Sequence, residues 1–332
     1  MIAVIIPAYN RPDALRHALK SLTQQTESHF VTVVVDDAST ADIYSLCEEF
    51  NQTLNIVYLR QAVNGGPGAA RIRGIEWAIE HNIDFVMFLD SDDQLLAHAV
   101  RVLKYEITHT GADIIFSDIV CEHKHQPHIV IPADQSLTWV HGKIYRTKFL
   151  ESLHIQLPAD LRTNEDLAFN LICKWTSKTC LYTHQATYLW CEDERSLTRS
   201  VGEERNLCMG ADFIRANYTA LDYMWNYAPQ KFEEKAEDAL HQVVACYNYY
   251  QLSLIRNEDV TDMDWRITAM LSHPTIQKLC RLISVWKRLE GCISSYSVIP
   301  ATQSTKSYLA YYKHTFYEWY IAHGGVVPEG AI

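Results

Sequence analysis

Two carboxylates flank a serine directly after an apolar run in Phe85-Val86-Met87-Phe88-Leu89-Asp90-Ser91-Asp92. Such a pair can share a divalent cation that also bridges phosphate oxygens, because Mg²⁺ and Mn²⁺ favour hard oxygen ligands. The same residues can equally form a solvated turn whose acids cap a helix starting near Leu95. A second acidic pair, Asp36-Asp37, ends another apolar run. Its ionised oxygens can accept from the N–H and O–H groups of a uracil ring or a ribose, or from the backbone of an Asx turn. Gly65, Gly66 and Gly68 allow close backbone approach ahead of a helix whose N-terminus favours phosphate, and they also suit a plain strand-to-helix loop. Neither G-x-G-x-x-G nor G-x-x-x-x-G-K-[ST] occurs, which removes the usual support for a dinucleotide or P-loop site. In Glu194-Arg195-Ser196-Leu197-Thr198-Arg199, the two guanidinium forks can close over a diphosphate or stand in a solvated loop.

These groups need strands to bring them together. Short β-branched runs alternate with helical periodicity over the first ninety residues, which predicts βαβ units and a parallel sheet. Strands are expected at Ile2–Ile6, Val31–Val35, Ile56–Leu59 and Phe85–Leu89, with helices over Pro12–Gln25 and Pro67–Glu80 and a cap at Ser39 or Thr40 between them. In an open parallel sheet, ligands bind outside the carboxyl ends of the strands, where Pro7-Ala8-Tyr9-Asn10, Asp36-Asp37, Asn64 to Gly68 and Asp90 to Asp93 all fall. Further on, helices are expected at 95–109 and 165–175 and strands at 113–120 and 180–190. After about residue 204 only helical spacing remains, over 206–226, 231–255, 274–290 and 305–322. The expected domains are therefore 1–204 and a helical 205–332.

Composition bounds the reading. At 332 residues, with 48% hydrophobic and 21% charged, the chain has room for about two globular domains. Its net charge of −11 excludes a general attraction to nucleic acid or anionic lipid. Nine cysteines, none spaced Cys-x-x-Cys, argue against a zinc site and a disulfide framework. The first apolar run stops after six residues, and no stretch reaches the roughly 18 apolar residues of a membrane span. A reduced, soluble, cytoplasmic protein is expected. From Arg266 onward seven basic residues meet three acidic ones, and Lys278, Arg281 and Arg288 share one side of the 274–290 segment, opposite Ile276, Leu279, Ile283 and Trp286. That side is a solvated face, a peripheral membrane contact or a nucleic-acid contact.

The order of motifs carries a resemblance. Ile5-Ile6-Pro7-Ala8-Tyr9-Asn10, Val35-Asp36-Asp37-Ala38-Ser39, Asn64-Gly65-Gly66-Pro67-Gly68-Ala69-Ala70-Arg71, Leu89-Asp90-Ser91-Asp92-Asp93, Gly142-Lys143-Ile144-Tyr145-Arg146 and Asn164-Glu165-Asp166-Leu167 resemble segments of glycosyltransferase family 2. The resemblance spans residues 2 to about 200. It implies an α/β GT-A fold, here followed by the helical C-terminal domain, and inverting transfer from a UDP-sugar to an acceptor hydroxyl in glycan or polysaccharide synthesis. Pro7, Tyr9 and Asp37 would surround the nucleoside and Asp36 its base or ribose, with Asn10, Asn64, Gly65, Gly66, Arg71, Ser91 and Arg195 completing the donor shell. Asp92 with Asp90 would hold Mn²⁺ or Mg²⁺. Asp166 would be the general base, with Glu165 orienting it or the acceptor, although the acidic first turn of a helix would look the same. Ala70-Arg71-Ile72 departs from the family's Ala-Arg-Asn, and His141 and His184 stand as further candidate ligands. A glycan or lipid-linked glycan is the expected acceptor. Hydroxymethylated DNA bases, or an inert GT-A scaffold used for binding, are the alternatives.

Overall fold

The structure, a computed structural model, describes residues 1–122, 127–157, 161, 163–192, 203–255, 259–281 and 316–327. The chain divides into two compact units, Met1–Val201 and Gly202–Ile332.

In the first unit, β1 (Ile2–Ala8) and β2 (Phe30–Asp36) are buried along their whole length, as continuous apolar runs covered on both faces must be. β1 pairs in parallel with β2 and with β4 (Phe85–Phe88), and β3 (Ile56–Arg60) adds in parallel beyond β2. The helices α1 (Pro12–Thr23), α2 (Ile43–Phe50) and α3 (Gly66–Glu80) supply the crossovers. Then come β5 (Gln94–Leu95), α4 (Ala99–Thr110), β6 (Ile114–Cys121), β7 (Ile129–Ile131), β8 (Lys143–Arg146), α5 (Thr147–Leu153), α6 (Glu165–Thr176) and β9 (Cys180–Trp190). The strands form one mixed sheet in the order β3-β2-β1-β4-β8-β6-β9-β5, with β7 on β6. Its parallel half puts the ends of β1, β2, β3 and β4 on one rim.

One sheet face packs Ile2, Val4 and Ile6 against Leu15, Leu19, Leu103 and Ile107, each burial contributing about 1.5–3 kcal/mol. On the other face α3 lies so close to β1 that a Cβ at Gly74 would sit 2.5 Å from Ile5 Cγ2. That contact fixes the height of the α3 N-terminus above the rim.

Some expectations need correction. The helix expected from 95 starts at Ala99, because Gln94 and Leu95 pair with Leu189 and Tyr188 of β9. The α2 cap is Asp42, which accepts from Ser45 N at 2.9 Å. Ser39 and Thr40 are instead engaged by Asn10. The sheet strands β5, β7 and β8 and the helix α5 carried too few residues to show periodicity.

The second unit is helical: α7 (Glu203–Tyr227), α8 (Pro229–Ile255), α9 (Thr261–Ser272), α10 (Pro274–Cys280) and a helical stretch over 316–322. The sequence pattern had not separated α9. On α10, Ile276 is buried while Lys278 and Arg281 are exposed, and Ile283, Trp286 and Arg288 lie outside the described residues. Among the described residues no helix is long and apolar enough to cross a membrane.

Candidate active site

The first two strand ends are tied together by their own side chains. Asn10, in the left-handed region at φ 53°, accepts from Thr40 N at 2.8 Å and Ala41 N at 3.1 Å through Oδ1. Its own N–H donates to Ser39 Oγ at 2.9 Å. Asp36 is fully buried and accepts from Ser39 N at 2.9 Å, from Tyr58 Oη at 2.6 Å and from Arg60. Burial works to raise its pKa, but hydrogen bonds from Ser39 and Tyr58 outweigh that and hold it below the usual carboxylate value. Asp37 accepts from the N–H groups of Gly65 and Gly66, each at 2.8 Å, and from Gln61 Nε2 at 2.8 Å. The Asp37 carboxylate thus sits on the N-terminus of α3, where a helix favours negative charge. Gly66 takes φ 82°, a conformation suited to glycine. Tyr9 is 47% exposed on the rim, next to Pro7 inside β1.

The next rim segment, after β4, meets a buried arginine. Arg71 of α3 donates from Nη1 to Glu165 Oε1 at 2.9 Å and to Asp166 Oδ1 at 2.6 Å, and from Nη2 to Asp90 Oδ1 at 2.7 Å. Its side chain is only 7% exposed, so it stands among carboxylates, not on the open rim. Burial alone would lower the Arg71 pKa, yet the charges of Asp166, Asp90 and Glu165 raise it well above its ordinary value. Asp166 Oδ2 also accepts from Val140 N at 3.2 Å. A Cβ at Gly68 would lie 3.0 Å from Glu165 Cγ, so α3 needs a glycine to approach α6. Burial, aided by the Asp166 charge, pushes the Glu165 carboxyl up to about 8.

Asp90 faces a second group through its other oxygen. His141 Nε2 lies 3.1 Å from Asp90 Oδ2 and 3.8 Å from Asp93 Oδ2. The imidazole stacks on Tyr188 at 4.6 Å and 7°. Tyr188 Oη donates to Asp93 Oδ2 at 2.7 Å and accepts from Asp90 N at 3.1 Å. Burial pushes the Asp93 carboxyl up to about 7. For Asp90, burial is outweighed by Arg71 and His141, which hold it far below the usual range. Behind this loop Lys143 is buried and donates to the carbonyls of Ser136 at 2.8 Å, Trp139, and His141 at 3.2 Å. Desolvation brings its ammonium down to about 7.

Ligand atoms of Asp90, Asp93 and His141 all lie within 4.8 Å of one another. Two carboxylates and an imidazole suit a divalent cation such as Mn²⁺, which would favour the ionised form of Asp93 against the burial that raises it. The expected partner, Asp92, instead bonds Arg11 Nη1 through Oδ2 at 2.8 Å. Ser91 is buried beside it, and Asn64 stands exposed before α3. His184 pairs with Asp118 at 3.4 Å, apart from this cluster. Arg195 and Arg199 lie outside the described residues. The structure therefore brings Asp90, Arg71, Glu165 and Asp166 together, and adds Asp93, Tyr188 and Lys143, for which no role was read from the sequence. The run Asp90-Ser91-Asp92-Asp93 contained the signal for Asp93, one residue beyond the pair that spacing singled out.

Comparison with known proteins agrees with this architecture. Over 183 residues the chain is 27% identical to the poly(ribitol-phosphate) beta-N-acetylglucosaminyltransferase TarS of Staphylococcus aureus, covering 51% of this chain and 31% of that protein. It is 39% identical over 123 residues to the succinoglycan biosynthesis protein ExoW of Rhizobium meliloti, covering 36% and 37%. The matched stretches thus span well under half the length of these curated relatives. Among solved structures, S. aureus TarS 1-349 in complex with UDP-GlcNAc superposes with TM-score 0.54 at 18% identity, over 96% of this chain and 91% of that one. The mannosyltransferase PcManGT from Pyrobaculum calidifontis, in complex with GDP-Man and Mn²⁺, gives 0.53 at 15%, over 97% and 85%. These likenesses are of fold. The family described as Glycosyl transferase family 2 matches residues 3–155, the stretch from β1 to α5 that builds the rim, and the fold is that of the GT-A transferases.

Proposed function

We propose that this chain transfers a sugar from a UDP-sugar to an acceptor hydroxyl in the assembly of a glycan or polysaccharide. One observation carries the reading: Asp166, a carboxylate fit to take a proton, and Asp90, a carboxylate fit to sit at a diphosphate, are held by the same Arg71 guanidinium. The UDP-GlcNAc complex of TarS supports the choice of donor, and the names of TarS and ExoW support the class of product. On this reading Met1–Val201 is the nucleotide-sugar-binding catalytic domain, and Gly202–Ile332 serves acceptor recognition or interaction.

The rim formed by Pro7, Tyr9, Asn10, Asp36 and Asp37 receives the nucleoside. Asn64, Gly65, Gly66 and Ser91 complete the donor shell with Arg195. Asp90, Asp93 and His141 would hold Mn²⁺ or Mg²⁺, with Asp92 beside them on the rim. When bound, that cation offsets the negative charge gathering on the departing nucleoside diphosphate. Asp166 takes the proton of the acceptor hydroxyl as the oxygen bonds to the anomeric carbon. The bond from that carbon to the phosphate oxygen breaks, its electron pair leaving with UDP, and a single in-line displacement inverts the configuration. Arg71 and Val140 N hold the two Asp166 oxygens in place for that transfer. Glu165 keeps its proton up to about pH 8, so it orients and does not compete as base.

Thermal shift with UDP, ADP and GDP, each with Mn²⁺ or chelator, tests the donor and the cation. UDP with Mn²⁺ is expected to raise the midpoint most, since a ligand bound only by the folded state stabilises it. Equal shifts in chelator would remove the cation from the account. No shift with any nucleotide would sink the reading.

A further inference from the structure

One side chain of β9, Tyr188, touches every member of the Asp90, Asp93 and His141 cluster. Its hydroxyl donates to Asp93 Oδ2 at 2.7 Å and accepts from Asp90 N at 3.1 Å, and its ring lies 4.6 Å from the His141 imidazole at 7°. The side chain is fully buried. Neighbouring strands hold it from both edges, since Tyr188 pairs with Leu95 of β5 and with Ile119 of β6. A bulge sets its direction. Asp118 faces Ala186 and Ile119 faces Tyr188, which makes Thr187 the extra residue just ahead of it. Bulges re-aim the side chains beside the point where they interrupt a ladder.

We infer that Tyr188 is a positioning residue for the cation: its hydroxyl aims Asp93 and holds the backbone of Asp90, and its ring fixes the plane of His141. The inference rests on the reading of Asp90, Asp93 and His141 as cation ligands. Tyr188 is not itself a ligand on this account, because its oxygen gives its proton to Asp93 and already accepts from Asp90 N. A phenol hydroxyl has one proton to give.

The hydrogen bonds of the cluster leave this task to Tyr188. An imidazole that ligates a metal is ordinarily fixed by a hydrogen bond at its other ring nitrogen. His141 lacks that bond: its Nδ1 is buried and has no hydrogen-bond partner among the described residues, while Nε2 faces Asp90 Oδ2 at 3.1 Å. The stack on Tyr188 takes the place of the missing bond. Asp93 is oriented entirely from β9, with Oδ2 held by Tyr188 and Oδ1 accepting from Cys191 N at 2.9 Å. A tyrosine that only filled the core would account for the burial and the strand pairing, but not for one side chain meeting all three members of the cluster.

The test uses the full chain with Mn²⁺ as the probe, free Mn²⁺ being followed by electron paramagnetic resonance with and without UDP. Tyr188→Phe keeps the ring, and with it the core packing and the stack on His141, and removes only the hydroxyl. It should raise the Kd for Mn²⁺ on the order of tenfold, the cost of losing a group that orients a metal ligand. Tyr145→Phe is the control, because Tyr145 is as fully buried and its hydroxyl donates to Asn170 Oδ1 at 2.8 Å, outside the cluster. Its Kd for Mn²⁺ should be that of the wild type. Urea unfolding of both variants reports that the fold is intact. An unchanged Kd for Mn²⁺ in Tyr188→Phe overturns the inference. So does an equal weakening in Tyr145→Phe, which would assign both effects to lost core stability, or a change confined to UDP binding. A wild-type chain that takes up no Mn²⁺, with or without UDP, brings down the cation reading and this inference with it. A wild-type chain that takes up Mn²⁺ but binds no UDP brings down the donor reading instead, and the comparison of the two variants with Mn²⁺ alone still decides the role of Tyr188.

Discussion

Arg71 Nη1 donates to Asp166 Oδ1 across 2.6 Å, joining the second turn of α3 to the first turn of α6 over 95 residues of chain. The same side chain reaches Asp90 and Glu165, so one buried cation balances the charges of Asp166 and Asp90 and also donates to the Glu165 carboxyl. Arg71→Met should therefore lower unfolding free energy by about 3–5 kcal/mol, because removing one partner strands buried charge. Arg71→Lys keeps the charge and loses the planar fork that serves three oxygens. Its expected signature is a near-native denaturation midpoint with kcat reduced on the order of 10²-fold, the usual consequence of a catalytic group displaced by about 1 Å. Wild-type kcat in Arg71→Lys would show that the fork does not position Asp166.

Asp166→Asn removes the proton acceptor in a side chain of the same shape and keeps one of the two bonds, from Arg71 or from Val140 N, because its amide NH2 cannot accept. UDP binding should survive while transfer falls by a factor of about 10² to 10⁴, the worth of a positioned general base. Single-turnover kinetics with saturating donor separates the two effects. Near-native turnover would move the base elsewhere, and Glu165 is the first place to look.

Much of this site was legible before the fold. The parallel strands declared themselves as continuous apolar runs, and polar residues at their ends had to share a rim once β2 and β4 flanked β1. What spacing could not show is which neighbours each side chain would choose. Arg71 was expected against the donor. It turned inward because Gly68 lets α6 come within contact of α3 and deliver Glu165 and Asp166 to it. His141 carried no pattern around it, since its position depends on Lys143 gathering the carbonyls of residues 136 to 141 from underneath. A buried lysine bound to backbone carbonyls leaves no periodic trace. Likewise β8 is four residues long, short enough to look like a loop until Tyr145 and Ile144 find Ile114 and Ile115 of β6.

On the proposed reading, the cluster of Asp90, Asp93 and His141 distinguishes three aspartates that lie within four residues of one another. Asp90→Asn and His141→Ala should each remove most of the Mn²⁺-dependent part of the UDP thermal shift, because both face the cluster. Asp92→Asn should weaken it less, since Arg11 already shares that carboxylate. Titration of Mn²⁺ at fixed UDP gives the ranking. A loss in Asp92→Asn as large as that in Asp90→Asn would put the cation on the Asp90–Asp92 pair read from the sequence.

Glu165 gives stability a pH dependence of predictable sign. Its folded pKa of about 8 stands above the usual 4.5, first because burial disfavours the charge and then because Asp166 lies beside it, with Arg71 only partly opposing. Below about pH 4.5 the folded and unfolded chains both hold this proton, and its contribution to stability is fully present. Between the two values the unfolded chain releases the proton while the folded chain keeps it, so stability falls as pH rises and levels off above about 8. The limiting slope for one proton is about 1.4 kcal/mol per pH unit. Glu165→Gln imitates the protonated form, so it should flatten this part of the profile and retain Arg71 contact and turnover. Urea unfolding of both proteins from pH 5.5 to 8 isolates the effect, because the contributions of Asp90, Asp93 and His141 cancel in the difference. A difference between variant and wild type that does not change with pH would mean that Glu165 is already ionised throughout, and that Arg71 outweighs its burial.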